Sequence, residues 1–175
     1  HETRWVTKSD FLEHLDAAVA SGTGPILALP HCGRWEWAAA WLTRVHGVEV
    51  TAVVEAIEPP ELFDWFQEKR EALGIHVVPL GPRAVGELTK AIKAGHVVCL
   101  LSDRDITGGG PEVEFFGERT RLPAGPVTLA LRTGAPLLFR DQLADRALRR
   151  VQVVSGASAA DQPNDVWLGT NGDGL

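Results

Sequence analysis

The sequence predicts an α/β fold with a mostly parallel central sheet and helices on both faces. Short apolar or β-branched runs alternate five times with helix-like segments, and the connections between them are short. The run Val97–Ser102 (VVCLLS) is apolar enough for a strand that is covered on both sides. Charged residues follow several of these runs. Because ligands bind at the carboxyl ends of strands in such sheets, this edge is the predicted site.

The first half of the chain supplies two predicted strands and three predicted helices. Ser9–Ser21 has apolar residues at helical spacing and is followed by glycines, which predicts a helix. The apolar run Ile26–Leu29 predicts the first strand, and the Ala/Trp-rich stretch Arg34–Val45 is typical of a helix. Val48–Val54 is β-branched and predicts the second strand. Two prolines begin a predicted helix over Pro59–Leu73.

The second half continues the alternation of strands and helices. The remaining expected elements are strands at Ile75–Leu80, Val97–Ser102 and Pro136–Phe139, helices at Ala84–Ala94 and Ala124–Thr133, a short extended piece at Val113–Phe116 and an edge strand at Leu148–Val154. Residues 155–175 are rich in small and polar residues without periodicity, which indicates an irregular tail. The expected organisation is one core over residues 1–154, truncated at its N-terminus, followed by that tail.

Composition and charge exclude several classes of protein. A chain of 175 residues suits one domain, and its net charge of -6 argues against a general nucleic-acid binder. No apolar stretch reaches the roughly 18 residues of a membrane span, and no signal peptide is recognisable. Cys32 and Cys99 lie in or beside apolar runs without disulfide or zinc spacing, which indicates a reducing compartment and no metal site.

His31 and Glu36 form an H-x4-E pair where the first predicted strand passes into the following helix. At that edge a histidine can act as a general base, with a carboxylate that orients it and stabilises the imidazolium. The alternative is structural, with His31 capping the helix and Glu36 favoured in its first turn by the helix dipole. Glu55 and Asp103 follow the second and fourth strands, so they should share this edge. Several charged groups at successive strand ends favour a site over solvated surface.

Ordered motifs give the chain a family resemblance. They are H-x4-E at 31–36, the segment 62–74, DRD at 103–105, EFFG at 114–117 and LPAGP at 122–126. In this combination the chain resembles the bacterial lysophospholipid/lipid A-type acyltransferases, and within them the actinobacterial phosphatidylinositol mannoside acyltransferases. The resemblance implies a glycerolipid-acyltransferase-like α/β fold. It also implies a membrane-associated enzyme that moves a fatty acyl group from acyl-CoA to a sugar hydroxyl of a glycolipid.

The resemblance also implies roles for individual residues. His31 would be the general base and Glu36 its acidic partner, at a position where the family commonly has Asp. Further carboxylates are implied near the acceptor and in a relay to the histidine, and the unranked candidates are Glu55, Asp103 and Glu114. Two arginines, Arg70 and Arg104, suit a phosphate of the lipid head group or of CoA, although surface or ion-paired positions remain the alternative.

The expected partners follow from the same resemblance. They are acyl-CoA as a co-substrate, a glycolipid acceptor and a membrane surface, without nucleic acid and without a separate cofactor. The expected location is peripheral, at the cytoplasmic face of the plasma membrane. The backbone N–H groups at Gly33–Trp35, at the start of a helix, are expected to stabilise the oxyanion of the reaction.

Two other functions stay open at this stage. Asp103-x-Asp105 is a D-x-D pattern, which suggests a glycosyltransferase whose carboxylates hold Mg²⁺ or Mn²⁺. A catalytically inactive lipid-binding fragment is the third hypothesis, because the chain begins shortly before the first strand. Trp37 and Trp41 are four residues apart on one helix and are expected in the core, with an acyl-chain pocket as the alternative.

Overall fold

The computed structural model describes residues 8–31, 34–106, 108–115 and 118–139. The strands are β1 (Ile26–Leu29), β2 (Val50–Val54), β3 (Ile75–Pro79), β4 (Val97–Leu101), β5 (Glu112–Phe115), β6 (Glu118–Arg121) and β7 (Leu137–Phe139). The helices are α1 (Lys8–Ala20), α2 (Trp35–Trp41), which continues into a π-helical segment at Leu42–His46, α3 (Pro60–Ala72), α4 (Ala84–Lys93) and α5 (Gly125–Thr133). Among the helices described, none is both long and apolar enough to cross a bilayer.

Five of the strands form one parallel sheet in the order β3-β2-β4-β1-β7. The order is not sequential, since β4 lies between β1 and β2 and therefore makes a crossover. Strands β5 and β6 form a separate antiparallel hairpin. The predicted fold class, α/β with a mostly parallel sheet flanked by helices, is confirmed.

Side chains alternate between the two faces of the sheet, and each face has its own hydrophobic core. Ile26 and Ala28 of β1 pack in the core that includes residues of α4 and α5. Leu27, between them, packs in the core that includes residues of α1 and α2. Cys99 of β4 is buried in this second core, where desolvation raises the pKa of its thiol to about 12. A thiol that stays protonated at neutral pH contributes to the packing of the core and does not act as a nucleophile.

Two differences from the expected elements have physical reasons. The extended piece expected at Val113–Phe116 belongs to a hairpin whose second strand, Glu118–Arg121, consists of ERTR and has no apolar residue to reveal it. Trp37 is 68% exposed instead of lying in the core, because the inward side of its helix is formed by small alanines. Trp41 packs partly buried against the core. The expected strand Leu148–Val154 and the tail over 155–175 lie outside the described residues.

The π-helical segment Leu42–His46 joins α2 to the end of α3. Arg44 donates from Nη2 to the carbonyl of Ala72 at 2.5 Å, and Thr43 donates from Oγ1 to the carbonyl of Leu73 at 2.8 Å. The last carbonyls of a helix have no partner within the helix, so these bonds cap α3 from outside. Helices α2 and α3, which both carry residues of the candidate site, are therefore tied together.

Candidate active site

His31 and Asp103 lie side by side because their strands are neighbours in register. Leu29 of β1 pairs with Leu101 of β4, so the residues two positions further along each strand also meet. His31 Nδ1 lies 2.5 Å from Asp103 Oδ1, and the backbone N–H of His31 donates to Asp103 Oδ2 at 2.8 Å. The two oxygens of one carboxylate thus hold both the ring and the backbone of His31. A histidine held in this way keeps one ring nitrogen, Nε2, for a substrate.

Asp103 is suited to a charged role beside the imidazole. Partial burial raises the pKa of its carboxyl, but the backbone and side-chain hydrogen bonds from His31 outweigh burial, and the net pKa is lowered. The carboxyl group therefore remains ionised at pH values below the usual pKa range of an aspartate. An ionised carboxylate on Nδ1 stabilises the imidazolium that forms when Nε2 accepts a proton.

Glu36, expected as the partner of His31, has a different contact. It lies in the first turn of α2, and its Oε1 accepts a hydrogen bond from Arg70 Nη2 of α3 at 3.1 Å. In the structure the carboxylate in contact with His31 is that of Asp103, one of those that the sequence left unranked, whereas Glu36 contacts Arg70. The register of Leu29 with Leu101 brings Asp103 beside His31. A role of Glu36 in catalysis remains a prediction.

The guanidinium of Arg70 contacts two aromatic rings. Its Cζ lies 5.2 Å from the ring centroid of Trp35 and 5.4 Å from that of Phe66, which are cation–π distances. Its side chain is only 18% exposed. The buried Nε has no hydrogen-bond partner among the residues that the structure describes. The guanidinium thus pairs with Glu36 through Nη2, while its Nε is enclosed by the surrounding side chains.

The site opens on a cavity of about 430 Å³. Its wall is largely apolar and includes the side chains of Trp35, Ile57, Phe63, Phe66, Leu80 and Ile106. Four of the predicted site residues also line it, namely His31, Glu55, Arg70 and Arg104. The carboxylates of Glu36 and Asp103 contact two of these four. Six predicted residues are therefore brought together, and the structure combines polar groups with an apolar wall that suits an amphiphilic substrate.

Glu114 is the predicted site residue that the structure does not bring to this cavity. It lies exposed on β5, opposite Arg119 of β6. It is not among the residues that line the cavity. Its contribution to substrate binding stays a prediction. Gly33, one of the expected oxyanion donors, lies outside the described residues.

The D-x-D pattern divides into two separate functions. Asp103 engages His31, whereas Asp105 accepts hydrogen bonds from the backbone N–H groups of Gly108 and Gly110 at 3.0 and 2.7 Å. Two carboxylates that hold a cation in common have to converge on it. Within the described ranges, no group of three or more His, Cys, Asp and Glu side chains is placed to hold a metal ion. The geometry therefore gives the glycosyltransferase hypothesis no support.

The fold and the site together define a class of protein. It is an α/β protein with a histidine–carboxylate pair at the carboxyl edge of a parallel sheet, beside a largely apolar cavity that is lined by two arginines.

Sequence comparisons place the chain within this class. The family described as bacterial lipid A biosynthesis acyltransferase matches residues 2–140, and the chain belongs to that family. The resemblance inferred from the ordered motifs is thereby confirmed.

Curated relatives narrow the comparison further. The phosphatidylinositol mannoside acyltransferase of Mycobacterium tuberculosis is 49% identical over 130 residues, which cover 73% of this chain and 41% of the relative. That of Mycolicibacterium smegmatis is 44% identical over 129 residues, which cover 72% of this chain and 42% of the relative. The chain thus spans about two fifths of the length of these relatives.

Proposed function

We propose that this chain is the core of an acyltransferase that moves a fatty acyl group from acyl-CoA to a sugar hydroxyl of a glycolipid, with a phosphatidylinositol mannoside as the acceptor. The observation that carries the proposal is the His31–Asp103 pair, whose 2.5 Å contact lies beside a largely apolar cavity. Family membership and the names of the curated relatives support acyl transfer. The choice of donor and acceptor follows the family resemblance and the names of the curated relatives, and the lining of the cavity is compatible with it.

His31 serves as the general base in the proposed reaction. A sugar hydroxyl is a poor nucleophile near neutral pH, and a neutral imidazole can take its proton as the oxygen attacks. The oxygen forms a bond to the thioester carbonyl carbon and produces a tetrahedral intermediate. That intermediate expels the CoA sulfur, which receives the proton back from the imidazolium. One C–O bond forms, one C–S bond breaks, and Asp103 stabilises the cation throughout.

The other cavity residues suit the two substrates. The apolar wall excludes water from an acyl chain, and each buried CH₂ contributes about 0.8 kcal/mol to binding. Arg70, which lines the cavity, suits a phosphate of CoA or of the lipid head group. Arg104, which is exposed at the cavity, suits a second phosphate. Glu55 suits hydrogen bonds from sugar hydroxyls.

Peripheral attachment to the cytoplasmic face of the plasma membrane is part of the proposal. Three apolar side chains at the cavity are exposed to solvent, with fractions of 37% for Ile57, 43% for Leu80 and 48% for Ile106. Exposed apolar side chains around a concave site are typical of surfaces that contact lipid or another protein. Their position at the cavity would bring a lipid acceptor and the site together.

The test is the release of CoA from palmitoyl-CoA by the complete purified protein, with and without a mannosylated phosphatidylinositol acceptor. We expect release that rises with acceptor, and a loss of at least about 100-fold in His31→Ala, since a general base contributes about that much or more. His14→Ala, on the exposed side of α1, is the matched control and should retain full activity.

Three outcomes would count against the proposal. Transfer that survives in His31→Ala would remove the assigned base. Transfer that is abolished by EDTA would instead favour a metal-dependent reaction. Acyl-CoA that binds to the wild-type protein without turnover would favour the lipid-binding hypothesis.

A further inference from the structure

We propose that Asp105 is a positioning residue that fixes one wall of the substrate cavity, an inference that rests on the function proposed above. Its Oδ1 accepts the backbone N–H of Gly108 at 3.0 Å, and its Oδ2 accepts that of Gly110 at 2.7 Å. Hydrogen bonds to a charged acceptor are among the stronger ones in proteins. The Asp105 carboxylate therefore links the beginning of the segment after β4 to two backbone amides further along it.

Gly110 is the point where this loop meets the segment that follows the hairpin. A Cβ atom at this buried glycine would lie 2.1 Å from the carbonyl oxygen of Leu122 and 2.9 Å from Asp105 Oδ2. The carbonyl of Gly110 accepts a hydrogen bond from Arg121 Nη1 at 3.2 Å. The absence of a side chain thus lets two backbones come together. We call this contact, formed by Asp105, Gly108, Gly110 and Arg121, the glycine clasp.

The glycine clasp lies between groups that form the cavity wall. Asp105 lines the cavity together with its two neighbours, Arg104 and Ile106. Pro123 and Pro126, which follow Leu122, line it as well. Because the clasp holds these two stretches of backbone against each other, it determines the position of the wall that faces the substrate. Because both of its carboxylate oxygens accept backbone amides of the loop, Asp105 is assigned a positioning role at this wall.

The contrast with Asp103 makes the role of Asp105 testable. Asp103 contacts the base, so its loss should lower kcat. Asp105 holds the wall, so its loss should raise KM while the chemistry at His31 proceeds. A residue that only stabilised the fold would change neither constant in the folded fraction.

The decisive variant is Asp105→Asn in the complete protein, assayed for CoA release with palmitoyl-CoA and the mannosylated acceptor. Asparagine has nearly the same shape, but its NH₂ group faces one amide donor that the carboxylate accepted. We expect KM for at least one substrate to rise about 10-fold, with kcat within about threefold of wild type, as the loss of a charge-assisted hydrogen bond would cause. Arg121→Gln, which loosens the same loop from the other side, should raise the same KM to a smaller extent.

Glu112→Gln is the matched control, because this exposed carboxylate pairs with Arg119 on the hairpin and not with the loop. It should leave both constants unchanged. Unchanged constants in Asp105→Asn would overturn the proposal. A loss of kcat above 100-fold at constant KM would also overturn it, since Asp105 would then act in the chemistry.

Amide hydrogen exchange measured by NMR tests the clasp independently of activity. The amides of Gly108 and Gly110 should exchange about 10-fold faster in Asp105→Asn than in wild type or Glu112→Gln. Equal exchange rates would overturn the clasp. If the wild-type protein transfers no acyl group, the proposed function fails, whereas the exchange rates still decide whether Asp105 holds the loop.

Discussion

The two edges of the sheet each hold a histidine beside a carboxylate. At the carboxyl edge, His31 contacts Asp103 at 2.5 Å. At the amino edge, His76 Nε2 lies 2.8 Å from Glu49 Oε2. The ring of a second histidine, His96, lies 5.1 Å from that of His76.

The difference between the edges lies in what surrounds each pair. His31 lines an apolar cavity, and both its side chain and that of Asp103 are 37% exposed. His76 and Glu49 are 56% and 66% exposed, and neither lines that cavity. A histidine–carboxylate contact is thus by itself uninformative about function. The position of the His31–Asp103 pair beside the cavity and its arginines, rather than the contact alone, makes the carboxyl edge a candidate for catalysis.

Neutralising the carboxylate of each pair should reveal the largest difference in kcat between the two edges. Asp103→Asn keeps the shape of the side chain but loses the charge that stabilises the imidazolium, so kcat should fall on the order of 100-fold. Glu49→Gln is the matched variant at the amino edge and should retain the wild-type kcat. Equal losses in both variants would refute the functional distinction between the edges.

Arg70 gives a second, smaller contrast. Arg70→Gln removes a cation that contacts Glu36 and two aromatic rings in the cavity, so KM for a phosphate-bearing substrate should rise about 10-fold or more. Arg119→Gln, at a side chain that is 86% exposed, is the control and should leave KM unchanged. Steady-state kinetics with varied palmitoyl-CoA and varied acceptor would show which substrate Arg70 contacts. A wild-type KM for both would exclude Arg70 from binding.

The amino edge should influence acid stability instead of catalysis. Desolvation and the charge of His76 lower the pKa of His96, which Glu49 partly offsets. The Thr51 hydroxyl is hydrogen-bonded to His96 Nδ1 at 2.9 Å and lies on the buried side of this group. His96 therefore binds a proton more readily in the unfolded chain than in the folded protein. Stability from this group is present above the ordinary histidine pKa and is lost as pH falls towards the lower folded value.

The corresponding test is thermal unfolding at pH 7.5 and pH 5. His96→Gln should reduce the difference in Tm between the two pH values, since the stability that this histidine loses on acidification is then no longer at stake. His14→Gln replaces an exposed histidine and should leave the difference as in wild type. A difference that stays unchanged in His96→Gln would assign the acid sensitivity to other groups.

Local sequence patterns were sufficient for most of the fold. Continuous apolar runs such as Val97–Leu101 form strands that are buried on both faces, and such a run can be recognised from its own residues alone. Prolines and glycines mark the ends of α3, which begins at Pro60 and is followed by Gly74. The hairpin strand Glu118–Arg121 has no such signal, because it forms through backbone pairing with β5 and lies on the surface.

The site was predictable in its members but not in its pairings. Polar and charged residues after strands had to meet at one edge, and three of the predicted ones, His31, Glu55 and Arg104, line one cavity. The partner of His31 depended on which strand lies next to β1, and Asp103 is 72 residues away in sequence. Once β4 is known to lie beside β1 with Leu29 opposite Leu101, His31 and Asp103 can be paired, because each lies two residues further along its strand. The pairing of Glu36 with Arg70 depends on how two helices pack, which no local pattern encodes.

The π-helical segment Leu42–His46 has a consequence for how this chain tolerates insertions and deletions. Each residue of a regular helix turns the next side chain by about 100°, so a one-residue change in length reorients everything beyond it. Deletion of one residue here would restore an ordinary helical turn and rotate Thr43 and Arg44 away from the carbonyls that they cap. The chain can therefore exchange residues along this helix more easily than it can shorten it.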